Sequence, residues 1–171
     1  MQRVAIVGPG GAGKSTLAVE VGRRTGLPVI HLDRLFWKPG WTEPPRDEWA
    51  VAQRQALQGD HWIVDGNYGG TFELRFERAD TIIVLALPRW QCVLRAFTRS
   101  ARNHGRAVQA DGCPERFDLG FYKWIWRYPA DSRPRLDRAI DAVLATTTVV
   151  ELRSSAAVAR YLDHLGAEPS P

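Results

Sequence analysis

Cysteine is scarce in this chain: Cys92 and Cys113 are the only two among 171 residues, and they form no C-x-x-C pair. Two distant thiols cannot make a disulfide framework, so both are expected to be free in a reducing cytoplasm. Long apolar runs are missing as well. The longest, Thr81–Leu87, has the length of a strand, whereas a membrane helix needs about 18 residues. The opening MQRVAIVG is too short in its apolar part for a signal peptide, and glycine follows at once. No membrane partner is therefore expected. Internal repeats and low-complexity tracts are also absent. What is present is ordinary: 44% hydrophobic, 25% charged, mean hydropathy −0.28. That composition excludes wholesale disorder, and the length predicts one domain over 1–171 with a mobile insertion at about 102–130.

The formal net charge is +4 with a pI near 9.4, but the excess is local. Between Arg95 and Arg138 stand ten basic residues and five acidic ones, which leaves −1 on the remainder. Nonspecific nucleic-acid binding usually spreads Lys and Arg over a broad face. A confined arginine cluster instead suits multiply charged phosphates, which guanidinium groups grip in bidentate fashion.

Apolar runs at Val4–Val7, Pro28–Leu32, Trp62–Val64, Thr81–Leu87 and Thr147–Leu152 predict five strands. Helical stretches lie between them: Ser15–Thr25, Pro45 to about Gln58, Trp90–Asn103, Asp118–Tyr128 and Pro134–Ala145, the last two separated by Pro129. Ser154 or Ser155 caps a final helix that stops near Gly166, and the tail Glu168–Pro171 is expected to fray. Phe36–Pro45 reads as a loop. Strands alternating with helices predict an α/β fold, a doubly wound five-stranded parallel sheet with flanking helices.

The chemistry concentrates after the first strand. Gly8, Pro9, Gly10, Gly11, Ala12, Gly13, Lys14 and Ser15 match G-x-x-x-x-G-K-[ST] in full, between a predicted strand and a predicted helix. Glycines let successive backbone N–H groups turn toward a phosphate, and the helix start adds its positive dipole end. Lys14 should reach the β- and γ-phosphates, Ser15 should ligate Mg²⁺, and Thr16 can reach an α-phosphate. The expected cofactors are ATP and Mg²⁺. Asp33 and Asp65 follow the second and third strands, at the carboxyl edge that lines the ligand crevice of such a sheet.

Beyond the loop, the chain resembles the small P-loop kinases of the nucleoside-monophosphate and shikimate kinase type, and more closely the adenylate-kinase-related topology modulation proteins. The resemblance rests on the P-loop, His31-Leu-Asp33 with Trp37, and Trp62-Ile-Val-Asp-Gly-Asn-Tyr68. It also rests on Leu87-Pro-Arg89, Gly112-Cys-Pro-Glu115 and Trp124-Ile-Trp126, and spans Val4 to about Leu165. The family pattern often has an acidic residue before Leu-Pro-Arg; this chain has Ala86, so a carboxylate role there is lost. The resemblance implies that Asp65 orders the Mg²⁺ water shell and that Arg34 holds an acceptor phosphate, as in monophosphate kinases. Asp33 taken alone resembles the shikimate kinase arrangement, in which a hydroxyl acceptor gains from a carboxylate. Both acceptors remain open at this point.

Arg95, Arg99, Arg102 and Arg106 recur at helical spacing, and Arg133, Arg135 and Arg138 follow. By resemblance this is an arginine-rich lid, with Arg99 and Arg138 on the moving phosphoryl group, Arg95 on the nucleotide, and Arg153 beside the base. The segment from Arg102 to about Arg116 has few apolar residues to anchor it, so it should be the most mobile internal part. The acceptor site is expected at Asp33, Arg34, Trp37, Asn67, Tyr68 and Arg75, with Trp37 and Trp41 available to stack on a ring. Trp62, Trp124 and Trp126 are assigned to core packing. The leading function is ATP-dependent phosphoryl transfer to a small acceptor. The alternative is a nucleotide-binding regulatory or DNA-topology-associated protein without kinase activity, which predicts salt-sensitive duplex binding.

Overall fold

A computed structural model describes residues 1–167. Five parallel strands form one sheet in the order β2-β3-β1-β4-β5: β1 Arg3–Val7, β2 Val29–His31, β3 Trp62–Asp65, β4 Thr81–Leu85 and β5 Thr148–Leu152. The helices are α1 Lys14–Thr25, α2 Leu32–Phe36, α3 Arg46–Ala56, α4 Phe72–Phe76, α5 Arg89–Arg102, α6 Leu119–Asp131, α7 Arg133–Asp141 and α8 Ser155–Ala167. The tail beyond Ala167 lies outside the described residues.

The central strands β1, β3 and β4 are largely apolar because both of their faces are covered. Successive residues of β1 point to opposite sides. Val4 and Ile6 join Leu17, Val21, Ile83 and Ile125 in one core; Ala5 and Val7 join Leu32, Trp62, Phe72, Phe76 and Leu136 in the other. Register is continuous across the centre, with Ile6 opposite Asp65 on one side and Ile83 on the other. β1 is therefore the strand where the winding reverses, and its carboxyl end opens the ligand crevice.

Several boundaries differ from the sequence expectation. α2 and α4 are five residues each, too short to show a helical period. Pro129 does not separate two helices: it sits in the last turn of α6, and the break comes at Ser132. A proline there removes a single backbone donor, and the turn still closes through Ser132 N–H to the Tyr128 carbonyl at 3.0 Å. Pro134 instead occupies the first turn of α7, where no donor is needed. Trp62 is buried as expected, but Trp126 is 46% exposed and is not core. Both cysteines are free and buried. Among the described residues no helix is long and apolar enough to cross a membrane.

Candidate functional site

The glycine-rich turn lies between β1 and α1, against β4 and α5. At Gly11, φ is +73°, and an added Cβ would stand 2.1 Å from the Cys92 carbonyl oxygen of α5. At Gly8 it would stand 2.6 Å from the Leu85 carbonyl oxygen. Only glycine fits either place, so the turn is pressed into the sheet and its open side faces the cleft. Lys14 begins α1, and its Nζ donates to the Pro9 carbonyl at 3.0 Å. Burial pushes the Lys14 ammonium below its ordinary pKa, opposed by the nearby negative charges of Asp33 and Asp65.

Those two carboxylates are individually oriented. Asp65 ends β3, and the neighbouring strand end presents His31, whose Nδ1 lies 2.7 Å from Asp65 Oδ1. Asp33, in the first turn of α2, accepts from the Tyr68 hydroxyl at 2.6 Å. Burial, and then the adjacent Asp33, push that hydroxyl far above its usual pKa, which keeps it a donor.

A cleft of about 1500 Å³ runs from the glycine-rich turn across this edge. One-ligand pockets span roughly 300–1,000 Å³, so there is room for two small ligands side by side. Gly10–Thr16, Asp33, Arg34, Trp37, Asn67, Tyr68, Arg95 and Arg99 line it. Trp37 packs edge-on to Trp41 at 5.4 Å, and both border the cavity. Asn67 is held by the Tyr128 hydroxyl at 2.8 Å. Arg95 donates to Ser155 at 2.9 Å, beside Val158 and Leu162 of α8 at the far end of the cleft.

Other expected residues lie elsewhere. Arg75 is 1% exposed and does not reach the cleft. It lies beneath the floor, donating to Gln53 at 2.8 Å and to Thr71, with its guanidinium 5.2 Å from the Phe72 ring centre. Burial lowers its pKa to about 10. From there it supports the turn that carries Asn67 and Tyr68. Arg138 opens onto a separate groove between α4 and α7, and Arg153 pairs with Glu151 at 3.3 Å outside the cleft. Arg102 and Arg106 are exposed away from it. Helical spacing alone could not tell these arginines from Arg95 and Arg99.

The loop after α5 departs most from expectation. It is anchored. Ala110 and Cys113 are buried, Cys113 Sγ contacts the Lys38 carbonyl, and Gly40 N–H donates to the Gly112 carbonyl at 2.9 Å. Trp41 Nε1 donates to the Pro114 carbonyl at 2.9 Å. At its centre Glu115, 3% exposed, forms an ion pair with Arg99 at 3.0 Å and accepts from Gln109 at 2.7 Å. Glu115, Arg116 and Arg135 also line the cleft. Glu115 was visible in the sequence as part of Gly112-Cys-Pro-Glu115, but nothing local assigned it to Arg99.

Among the described residues no group of three or more His, Cys, Asp or Glu converges as a metal cage. Ser15 and Asp33 line the cleft, while Asp65, 3% exposed, lies behind the lining against His31. The Ser15 hydroxyl and the Asp33 carboxylate are hard oxygen donors of the kind that suits Mg²⁺ carried by phosphates, since that ion keeps several waters.

A family model for isopentenyl transferase matches residues 1–38, which hold only β1, the glycine-rich turn, α1, β2 and α2. No curated protein matches the chain. Among solved structures, shikimate kinase from Acinetobacter baumannii in complex with shikimate is similar with a TM-score of 0.56 at 12% identity, covering 96% of this chain and 90% of that one. At that identity the likeness is one of architecture: the chain has the α/β fold of a P-loop small kinase.

Proposed function

We propose that the protein transfers the γ-phosphoryl group of ATP to a hydroxyl of a small anionic acceptor. The observation that carries this reading is the Lys14 ammonium at the root of the glycine-rich turn, which lines one cleft together with Ser15 and Asp33. Backbone N–H groups of the turn and the α1 terminus hold the triphosphate. Ser15 would hold Mg²⁺ carried by the phosphates, Asp65 would act only on its water shell, and the ion would supply neutralising positive charge there.

Asp33 decides the acceptor. A second phosphate brought beside this carboxylate is repelled, and it needs no base. A hydroxyl needs both a base and a position. Tyr68 fixes the carboxylate through its 2.6 Å hydrogen bond. The hydroxyl oxygen attacks the γ-phosphorus, its proton passes to Asp33, and the bond to the bridging oxygen breaks to release ADP. Lys14 and Arg99 stabilise the charge on the moving group. Arg34 and Arg135 line the acceptor side and form no ion pair among the described residues, so they are available to an anionic substituent. The neighbouring shikimate kinase structure holds a hydroxyl-bearing acid, which agrees with this choice.

The DNA-associated alternative rests on the basic segment, whose local excess of positive charge the internal ion pairs do not change; it predicts duplex binding that falls steeply with salt, and a titration at two salt concentrations separates the two readings. A screen of hydroxy acids and nucleoside monophosphates with Mg·ATP, reading ADP release above the water-only rate, tests the proposal. Turnover should vanish in Lys14→Ala and fall about 10²-fold or more in Asp33→Asn. Full activity in Lys14→Ala refutes phosphotransfer; full activity in Asp33→Asn with a monophosphate acceptor refutes the hydroxyl assignment.

A further inference from the structure

The side of α5 and α6 turned away from the cleft is apolar. Trp90, Leu94 and Phe97 recur at helical spacing on one face of α5 and are 57%, 54% and 48% exposed. On α6, Leu119 and Trp126 share a face at 83% and 46% exposure, and Phe117 just before it is 49% exposed. The two rows adjoin. The Phe97 ring lies 5.3 Å from Phe117 and 6.1 Å from Tyr122, and the Arg89 guanidinium at the other end of α5 lies 4.2 Å over Trp126. None of the six apolar side chains lines the cleft; the opposite side of α5 supplies Arg95 and Arg99 to it.

The size of this face asks for a partner. A half-exposed aromatic leaves on the order of 100 Å² in water. Four such aromatics with two exposed leucines reach the top of the roughly 300–600 Å² that the largest patch of an ordinary monomer spans. With Tyr122 and the stems of the flanking long side chains, the face approaches the ~800 Å² that each partner gives to a standard interface.

Charge decides what covers it. Arg89 is spent on Trp126, Arg116 pairs with Asp118 at 3.7 Å, and Arg127 pairs with Asp131 at 2.7 Å. Arg89, Lys123, and Arg102 at the end of α5 lack an ion pair here among the described residues. An anionic lipid surface is drawn by about four to eight uncompensated Lys or Arg. Three such cations fall short of that number, and an apolar face of this kind matches another of its own kind, as in a two-fold interface where the same patch serves both subunits.

We propose that the chain associates with a second copy of itself through the α5–α6 face, packing four helices together. The pairing braces the helix that carries Arg95 and Arg99 from behind. It does not depend on the phosphotransfer reading.

Sedimentation velocity of the full chain between about 1 and about 100 µM tests it, since a dimer forms by mass action. The expected result is a doubling of mass with concentration, lost in Leu94→Glu and, separately, in Leu119→Glu. Leu119 is so exposed that its substitution leaves the fold intact, and an unchanged melting curve confirms that. Leu144→Glu, at 57% exposure on another surface, should keep the dimer. A wild-type chain that is monomeric at about 100 µM overturns the proposal, as does a dimer that survives both substitutions. Flotation of a monomeric chain with phosphatidylglycerol vesicles would put lipid in place of the second copy and overturn it too.

Discussion

Replacing Glu115 by alanine should lower the melting temperature by about 6–12 °C. Glu115 is 3% exposed and balances Arg99 across 3.0 Å, while Gln109 and Ser100 donate to its two oxygens. Removing one partner of a buried pair costs about 3–5 kcal/mol, because the other charge is left uncompensated. The Arg99 side chain keeps 29% exposure, so water recovers part of that loss and about 3 kcal/mol remains. In a chain of this size each kcal/mol shifts the melting temperature by roughly 2–4 °C. Glu115→Gln keeps one acceptor oxygen, for Gln109, and turns the other into an N–H donor from which the Ser100 hydroxyl can accept, so its shift should be about half. Thermal unfolding at neutral pH measures both, and hydrogen exchange over 103–118 should rise in the alanine variant before the rest of the chain. A melting temperature within about 1 °C of wild type in Glu115→Ala would refute the claim that this carboxylate ties the loop to α5.

Gly11→Ala and Gly13→Ala separate two costs in the glycine-rich turn. Both positions have positive φ, but only the Gly11 methyl meets backbone, so Gly13→Ala should lose about 1–3 kcal/mol in urea unfolding and Gly11→Ala clearly more. Asp80 is raised by burial but lowered further by hydrogen bonds from Thr81 and from the Arg3 and Gln2 amides, leaving its pKa below the ordinary value. A depressed folded pKa contributes stability above the unfolded value, lost as pH falls through the folded one; Asp80→Asn should therefore flatten the acid limb of stability against pH below about 4. Tyr68→Phe removes the donor that fixes Asp33; turnover should fall while ATP affinity stays, which single-turnover and binding assays distinguish. Arg75→Met should leave the Gln53 carbonyl oxygen unpaired and destabilise the fold by about 1–3 kcal/mol, a loss that urea unfolding reads directly.

Much of the core and one edge of the site were legible locally. The apolar runs that became β1, β3 and β4 have no polar alternation, which already required cover on both faces. The glycine-rich turn was legible because its chemistry is made of neighbours in sequence: Gly8 to Thr16 need nothing distant to form an anion cradle. Asp33 and Asp65 were legible as strand ends. The arginines were not. Arg95, Arg99, Arg102, Arg106 and Arg138 look alike by residue type and spacing, and which of them face the cleft depends on helix rotation against the sheet. Arg75 looked like a ligand because burying a guanidinium is rare; Gln53, from α3, together with Thr71 one turn earlier, makes that burial tolerable.

The sequence by itself determined the order of strands and helices, the place of the phosphate turn, and the presence of a confined basic segment, because each depends on residues within one or two turns of chain. The tertiary structure alone decided that β1 lies at the centre of the sheet, between β3 and β4. It also decided that Tyr68 orients Asp33, that Glu115 holds Arg99, and that six apolar side chains of α5 and α6 and the loop between them stay uncovered. The Tyr68–Asp33 and Glu115–Arg99 pairs join residues 35 and 16 positions apart, the strand pairings join residues further still, and no local preference encodes which of many possible partners a side chain meets once the chain has closed.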